Sequence, residues 1–248
     1  MVRAAALLAL LANLVVYDVA APRLPAVSLW WGVAILALAV IPATFALVWL
    51  ALPARTSRWL PAAALVAVAL SVTFELVDRE LAANYAKLAA ATAVAWLFLR
   101  FFEDVSWIVL VAILIIPVDV ISVARGPTKT IIEDHESVFD ALSIGFPVPG
   151  EATAAQLGLP DVLFFALFLG AAARFGLRTG ATWVLCTASF GLTLVLAIET
   201  DASGLPALPL LSAAFILANA DLLWQRVRAR LAGRARKRPE NGPPAAPS

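Results

Sequence analysis

Apolar runs of about 20 residues, each closed off by charge, proline or glycine, recur along almost the whole chain. Such a run is read as a helix, because an open strand in lipid would leave its backbone amides and carbonyls unpaired. Eight spans are expected: A (4–20), B (26–52), C (59–77), D (81–102), E (105–123), F (159–177), G (181–198) and H (205–224). B is long and contains Pro42, which suggests one tilted or kinked helix. D carries Lys87 and Arg100, which must snorkel or face protein.

Composition points the same way. The 248 residues are 62% apolar and only 14% charged, with a mean hydropathy of +0.92. Soluble domains are nearer half apolar and a quarter charged, so a soluble enzyme, a disordered chain and a secreted disulfide scaffold are excluded. Cys186 stands alone in an apolar run and reads as a small core residue. The expected fold class is all-α, a polytopic membrane bundle. Its N-terminal helices are A–D (1–102). Its core is E–H (103–225), with a hydrophilic loop at 124–158. A basic, Pro/Ala-rich tail (226–248) is expected to be disordered.

Charge is unevenly placed. The tail holds Arg226, Arg228, Arg230, Arg234, Arg236, Lys237 and Arg238 against Glu240, a balance of +6 that leaves −5 for the rest. Such a cluster can meet nucleic acid, but beside a last span it marks the cytoplasmic end and meets anionic lipid. On alternate faces, Lys and Arg number 13 on the tail side and 5 on the other, falling to 6 against 5 without the tail. The positive-inside rule then puts the tail in the cytoplasm and the 124–158 loop outside, in what is expected to be the cell membrane. Span A, with Arg3 ahead of it and "VAAP" behind, also reads as a signal peptide, whose removal would leave seven spans.

Familiar catalytic constellations are quickly eliminated. His135, within "EDHES" (133–137), is the only histidine and reads as solvated, so no H-E-x-x-H site and no Ser-His or Cys-His pair can form. No Walker loop or G-x-G-x-x-G occurs. Carboxylates inside the membrane remain, and these are costly unless a partner or water is at hand.

Asp119 lies near the end of E and Asp161 near the start of F. Antiparallel neighbours bring them to similar depth on one membrane face. Parity returns the start of H, "GLPALPLL", to that face as well. Two aspartates sharing a site hold one proton between them. One can then take a proton from water while the other donates to a carbonyl, which is peptide hydrolysis without metal or covalent intermediate. The plainer reading is that each aspartate caps a helix or binds an ion.

The remaining polar residues have ordinary readings. Tyr17–Asp18 is a decoy "YD" at a helix end. Glu75, Asp78 and Glu80 face solvent, and Asp221 pairs with a nearby arginine such as Arg226. Trp30, Trp31, Trp49, Trp59, Trp107 and Trp224 sit near span ends as interfacial anchors. Gly170 beside Ala171–Ala173 reads as close helix packing.

Residues 84–224 resemble the GxGD intramembrane aspartyl proteases, the presenilin and signal-peptide-peptidase group. "NYAKLAAATAVAWLFLRFFEDVSW" looks like the segment entering the first catalytic helix, and "PVDVISVARGPTKTIIE" (117–133) resembles the YD motif with its glycine-proline and acidic continuation. "LGLPDVLFFALFLG" (157–170) looks like the GxGD helix start. "GLPALPLL" holds PALP as Pro206, Ala207, Leu208 and Pro209, and "ANADLLW" resembles the end of the family's last helix. The resemblance implies Asp119 and Asp161 as the catalytic pair. It implies Pro206, Ala207, Leu208, Gly158 and Pro160 as substrate-binding residues, single transmembrane helices or signal-peptide remnants as substrates, and no metal or cofactor beyond water. An extended substrate would pair with backbone of the E–F loop by strand addition.

Two positions depart from the pattern. Val118 replaces the family tyrosine, removing a phenol near the dyad. Pro160 replaces the second glycine, which the first helical turn tolerates at the loss of close backbone approach. Spans A–D match the family's second to fifth helices, so its first has no counterpart here. Two rivals stay open: a non-catalytic binder or scaffold with this fold, and an ion or solute transporter using the acids as a relay. A prepilin-peptidase-type enzyme fits less well, for want of its PAL-like element.

Overall fold

The computed structural model describes residues 2–125, 140–151, 154–200 and 205–236. The order is α1 (Val2–Ala20), α2 (Leu29–Ile35), a π-helical turn (Leu36–Val40), α3 (Ile41–Ala51), α4 (Leu60–Leu76), α5 (Glu80–Leu99) and α6 (Val105–Arg125). Then follow β1 (Ser143–Pro147), β2 (Ala154–Gly158), α7 (Leu159–Arg174), α8 (Thr179–Glu199), α9 (Leu208–Ala218) and α10 (Ala220–Arg236). Helix dominates, as the apolar runs predict. "EDHES" with His135 lies outside the described residues.

Punctuation sets the helix boundaries. Proline stands in the first turn of α4, α7 and α9, where a missing N–H costs nothing. After α7, Gly176 takes a φ of +61° and the Leu177 amide returns to the Ala172 carbonyl, closing the helix end. Around Pro42 the helix widens into the π turn and continues, so 29–56 is one helical run of 28 residues, as expected for B.

The expected eight spans require correction. Among the described residues, five helices are long and apolar enough to cross a membrane: Val2–Arg23, Leu29–Thr56, Glu80–Leu99, Val105–Val123 and Thr179–Glu199. A sixth is reached if α9 and the start of α10 count as one, although they are bent by 66°. Span C shortens to 17 residues and span F to 16. F begins at Leu159 as expected and is short because the chain turns at Gly176, which ends the helix at Arg174. At a rise of ~1.5 Å per residue it reaches ~24 Å, under the ~30 Å of hydrocarbon. The tail also departs from expectation, since the chain stays helical from Ala220 to Arg236.

α7 is the centre of the core rather than a lipid-facing span. Phe165 through Ala172 are all buried along it. Phe168 stacks on Phe215 of α9 at 4.6 Å, and Phe165 meets Phe45 of α3 at 4.0 Å. Phe45 in turn stacks on Phe190 of α8. Trp96 of α5 donates to the Ala166 carbonyl at 3.1 Å, and a methyl on Gly170 would lie 2.9 Å from its ring. Gly170 thus serves close packing, as its small neighbours suggested. The outer faces remain apolar, with Leu65, Leu76 and Ile113 exposed and Trp30, Trp31, Trp59, Trp107 and Trp224 each more than half exposed. Long apolar helices with apolar outer faces make this a membrane-embedded protein. Trp49 differs from the other anchors, packing edge-on against Trp183.

Candidate active site

Helix phase decides where Asp119 points. Val105, Ile108 and Ala112 form the buried stripe of α6. Seven residues after Ala112 the helix returns to within ~20° of that stripe, at Asp119. Its neighbour Val118 faces outward and is 57% exposed, so that position does not look into the interior. The Asp119 carboxylate accepts a hydrogen bond from the Leu208 amide at 3.2 Å. Leu208 opens α9 between Ala207 and Pro209. Because prolines 206 and 209 carry no N–H, its amide is one of few free donors at that helix start. A carboxylate at a helix N-terminus is favourable by about 0.3–1 kcal/mol.

Asp161 is the third residue of α7, immediately after the strand. Gly158 caps the helix in extended conformation, and its backbone lies beside the Asp161 carboxylate three residues on. A methyl at position 158 would sit 3.2 Å from Asp161 Oδ2, so glycine keeps room for the acid. Asp119 is near enough to act electrostatically on Asp161. Both acids line one cavity of about 870 Å³, with Gly158, Pro160, Pro206 and Ala207. Leu208 adds its backbone amide. All seven residues singled out in the sequence are therefore brought together, from four elements. Among the described residues no group of three or more His, Cys, Asp or Glu is placed to hold a metal ion.

Sequence reasoning missed what builds the other wall. The second half of the hydrophilic loop is an antiparallel hairpin, in register from Ser143↔Gly158 to Pro147↔Ala154. Asn84 of α5 clasps Gly145, accepting from its amide at 3.3 Å and donating to its carbonyl at 3.2 Å. Tyr17 of α1 donates to the Pro147 carbonyl at 2.9 Å. In an antiparallel pair alternate residues turn their backbone groups inward and outward. Ser143, Gly145 and Pro147 are thus the outward set of β1, and helices α5 and α1 close that edge at Gly145 and Pro147. The matching outward set of β2 is Ala154, Gln156 and Gly158. Among the described residues, no further backbone hydrogen bond reaches Ala154 or Gln156. Gln156, Leu157 and Gly158 line the cavity, so an open strand edge leads directly to Asp161.

A buried lysine fixes the base of that hairpin. Lys87, 6% exposed, lies 2.8 Å from Glu75 of α4 and donates at 2.8 Å to the Asp140 carbonyl. Asp140 Oδ1 accepts from Gln156 Nε2 at 3.0 Å, and Gln156 Oε1 accepts from Ser143 Oγ at 2.7 Å. A charge inside an apolar span was the available signal, but its partner comes from another helix. The expectation of a solvent-facing Glu75 is corrected by this pair. Two other acids find partners, Asp18 while keeping its place at a helix end and Asp221 with an arginine more distant in sequence than expected. Asp18 accepts from Tyr85 at 2.5 Å, and Asp221 pairs with Arg178 at 2.6 Å while Arg226 donates to the Phe175 carbonyl. Cys186 is buried, as read from the sequence.

Lys87→Met should lower stability by about 2 kcal/mol, less than the 3–5 kcal/mol of a fully buried broken pair because Glu75 keeps some solvent. Thermal unfolding in detergent checks this. Lys87→Arg, which keeps the charge, should lose less.

No family model, curated protein or solved structure matches the chain.

Proposed function

We propose that this protein is a multi-pass intramembrane aspartyl endopeptidase of the GxGD kind. It resides in the cell membrane with its basic C-terminal segment in the cytoplasm, and hydrolyses transmembrane helices or signal-peptide remnants. One observation carries the reading. Two aspartates from separate helices open into one cavity, between the PALP turn and a strand edge that is unpaired among the described residues.

The chemistry needs only these groups and water. Water held between the carboxyl groups gives a proton to the ionised aspartate while its oxygen attacks the scissile carbonyl carbon. The protonated partner donates to the carbonyl oxygen, forming a tetrahedral diol. As the C–N bond breaks, the first aspartate passes its proton to the leaving nitrogen, and a diol hydroxyl returns one to the second. A helix must unwind before its peptide bond can be reached. The outward backbone of β2 offers an unwound segment replacement hydrogen bonds, and the apolar walls, Phe146, Phe164 and Phe190 among them, take its side chains.

The test is purified protein with a model transmembrane peptide, with product masses giving the cut. Gln156→Pro removes one outward amide of β2 without touching the ladder to β1. Gln156→Ala removes only the side chain. Cleavage should fall about tenfold further in the proline variant than in the alanine variant, since a charge-free edge bond and its alignment are lost together. Equal rates would refute strand addition.

A non-catalytic scaffold has its own support, because Asp119 already accepts a backbone amide and Pro160 stands where glycine is usual. It predicts no product from any peptide. A transporter predicts solute uptake into proteoliposomes without proteolysis.

A further inference from the structure

At Asn219 the chain makes a rigid elbow. Asn219 is fully buried, donating to Thr182 Oγ1 and to the Phe215 carbonyl, each at 2.9 Å, and accepting from the Arg178 amide at 2.8 Å. The Asp221–Arg178 pair and the Arg226 bond to Phe175 hold the far side. The 66° bend is therefore built from buried polar contacts to α8 and the end of α7. If α9 follows the membrane normal, this bend leaves α10 about 24° from the membrane plane.

α10 has the faces of a helix lying on a surface. Leu222 and Leu223 pack on the core, whereas Trp224 and Val227 are 55% and 45% exposed. They are three residues apart on one face, and the sequence continues the spacing with Leu231. Arg228 stacks on Trp224 at 5.1 Å. Arg226, Arg228, Arg230, Arg234 and Arg236 share the helix with one acid, Asp221, which is already paired.

We propose that α10 is an in-plane anchor that docks on anionic phospholipid, its Trp224–Val227 face at the acyl boundary and its arginines among the headgroups. Nucleic acid would match the charge but has no use for an exposed apolar face between arginines. An anionic bilayer surface matches both. The elbow supplies what an isolated amphipathic helix lacks, a fixed angle of approach.

The test uses the full chain with an environment-sensitive fluorophore on Val227→Cys. Cys186 is buried and stays unlabelled. The protein is reconstituted in phosphatidylcholine vesicles or in equal parts phosphatidylcholine and phosphatidylserine. Expected is a blue-shifted label shielded from aqueous iodide in the mixed vesicles. The docked-to-undocked ratio should fall about fivefold for each arginine changed in Arg228→Gln and Arg230→Gln. Because the lipid comparison is made on unchanged arginines, it does not depend on how those variants fold. Equal iodide access in both vesicles would overturn the proposal, as would shielding that appears in neutral vesicles only when an RNA oligonucleotide is added.

Discussion

Asp119→Asn and Asp161→Asn each reduce cleavage of a transmembrane peptide by roughly a thousandfold or more, and the double variant is little worse than either alone. That is the expected result if the acids act as one unit. General acid–base catalysis by a placed group contributes about 10²–10⁴-fold, and groups that share one step are strongly non-additive. Asparagine is the sharp probe because it keeps the shape and an acceptor oxygen. At 119 it can still take the Leu208 amide, so the link joining α6 to α9 survives. What it removes is the capacity to carry a proton. Thermal unfolding should therefore change little while product disappears. Full cleavage by either variant would sink the dyad, and a wild-type protein that cuts nothing would favour the scaffold.

Gly150→Ala should disable the site from a distance while sparing the bundle. Gly150 has a φ of +74°, and its amide donates to the Ala21 carbonyl at 2.9 Å, seating the hairpin on the junction of α1 and α2. A methyl there would lie 2.3 Å from the backbone N and Cα of Ala26, which no rotamer change relieves. The left-handed conformation adds about 1–3 kcal/mol of strain. The hairpin must lift off its seat, taking the open edge of β2 out of line with Asp161. Cleavage should drop at least about tenfold, since misplacement of ~1 Å can cost 10²-fold. The Phe165–Phe45 and Phe168–Phe215 contacts lie elsewhere, so helicity should persist. Gly176→Ala is the control. Its φ is also positive, at +61°, but nothing lies within 4 Å, so strain alone applies and cleavage should hold. Similar cleavage losses in both variants would refute the seating argument.

The convergence of Asp119, Asp161 and the PALP turn was legible because it needs only parity. Successive spans cross in opposite directions whatever the length of the loop between them, so the end of one and the start of the next share a face. The inward aim of Asp119 was not legible, because only burial of Val105, Ile108 and Ala112 marks the inner stripe of α6. Nor was the hairpin. "SIGFP" and "AAQLG" show little apolar–polar alternation, and strand pairing depends on partners contributed by α1 and α5. Lys87 announced itself as an anomaly, but neither Glu75 nor the Asp140 carbonyl is adjacent to it in sequence.

Periodicity and punctuation along the chain thus determined which segments are helical, where most helices begin, and which acids meet. The first two depend on residues within a turn or two of one another and the third on the parity of successive spans, so all are written in the order of the chain. Which helices are long enough to cross, what a buried lysine holds, and which strand edge stays open were decided only by the tertiary structure. Each depends on a contact between groups remote in sequence, and a linear pattern carries no record of such partners.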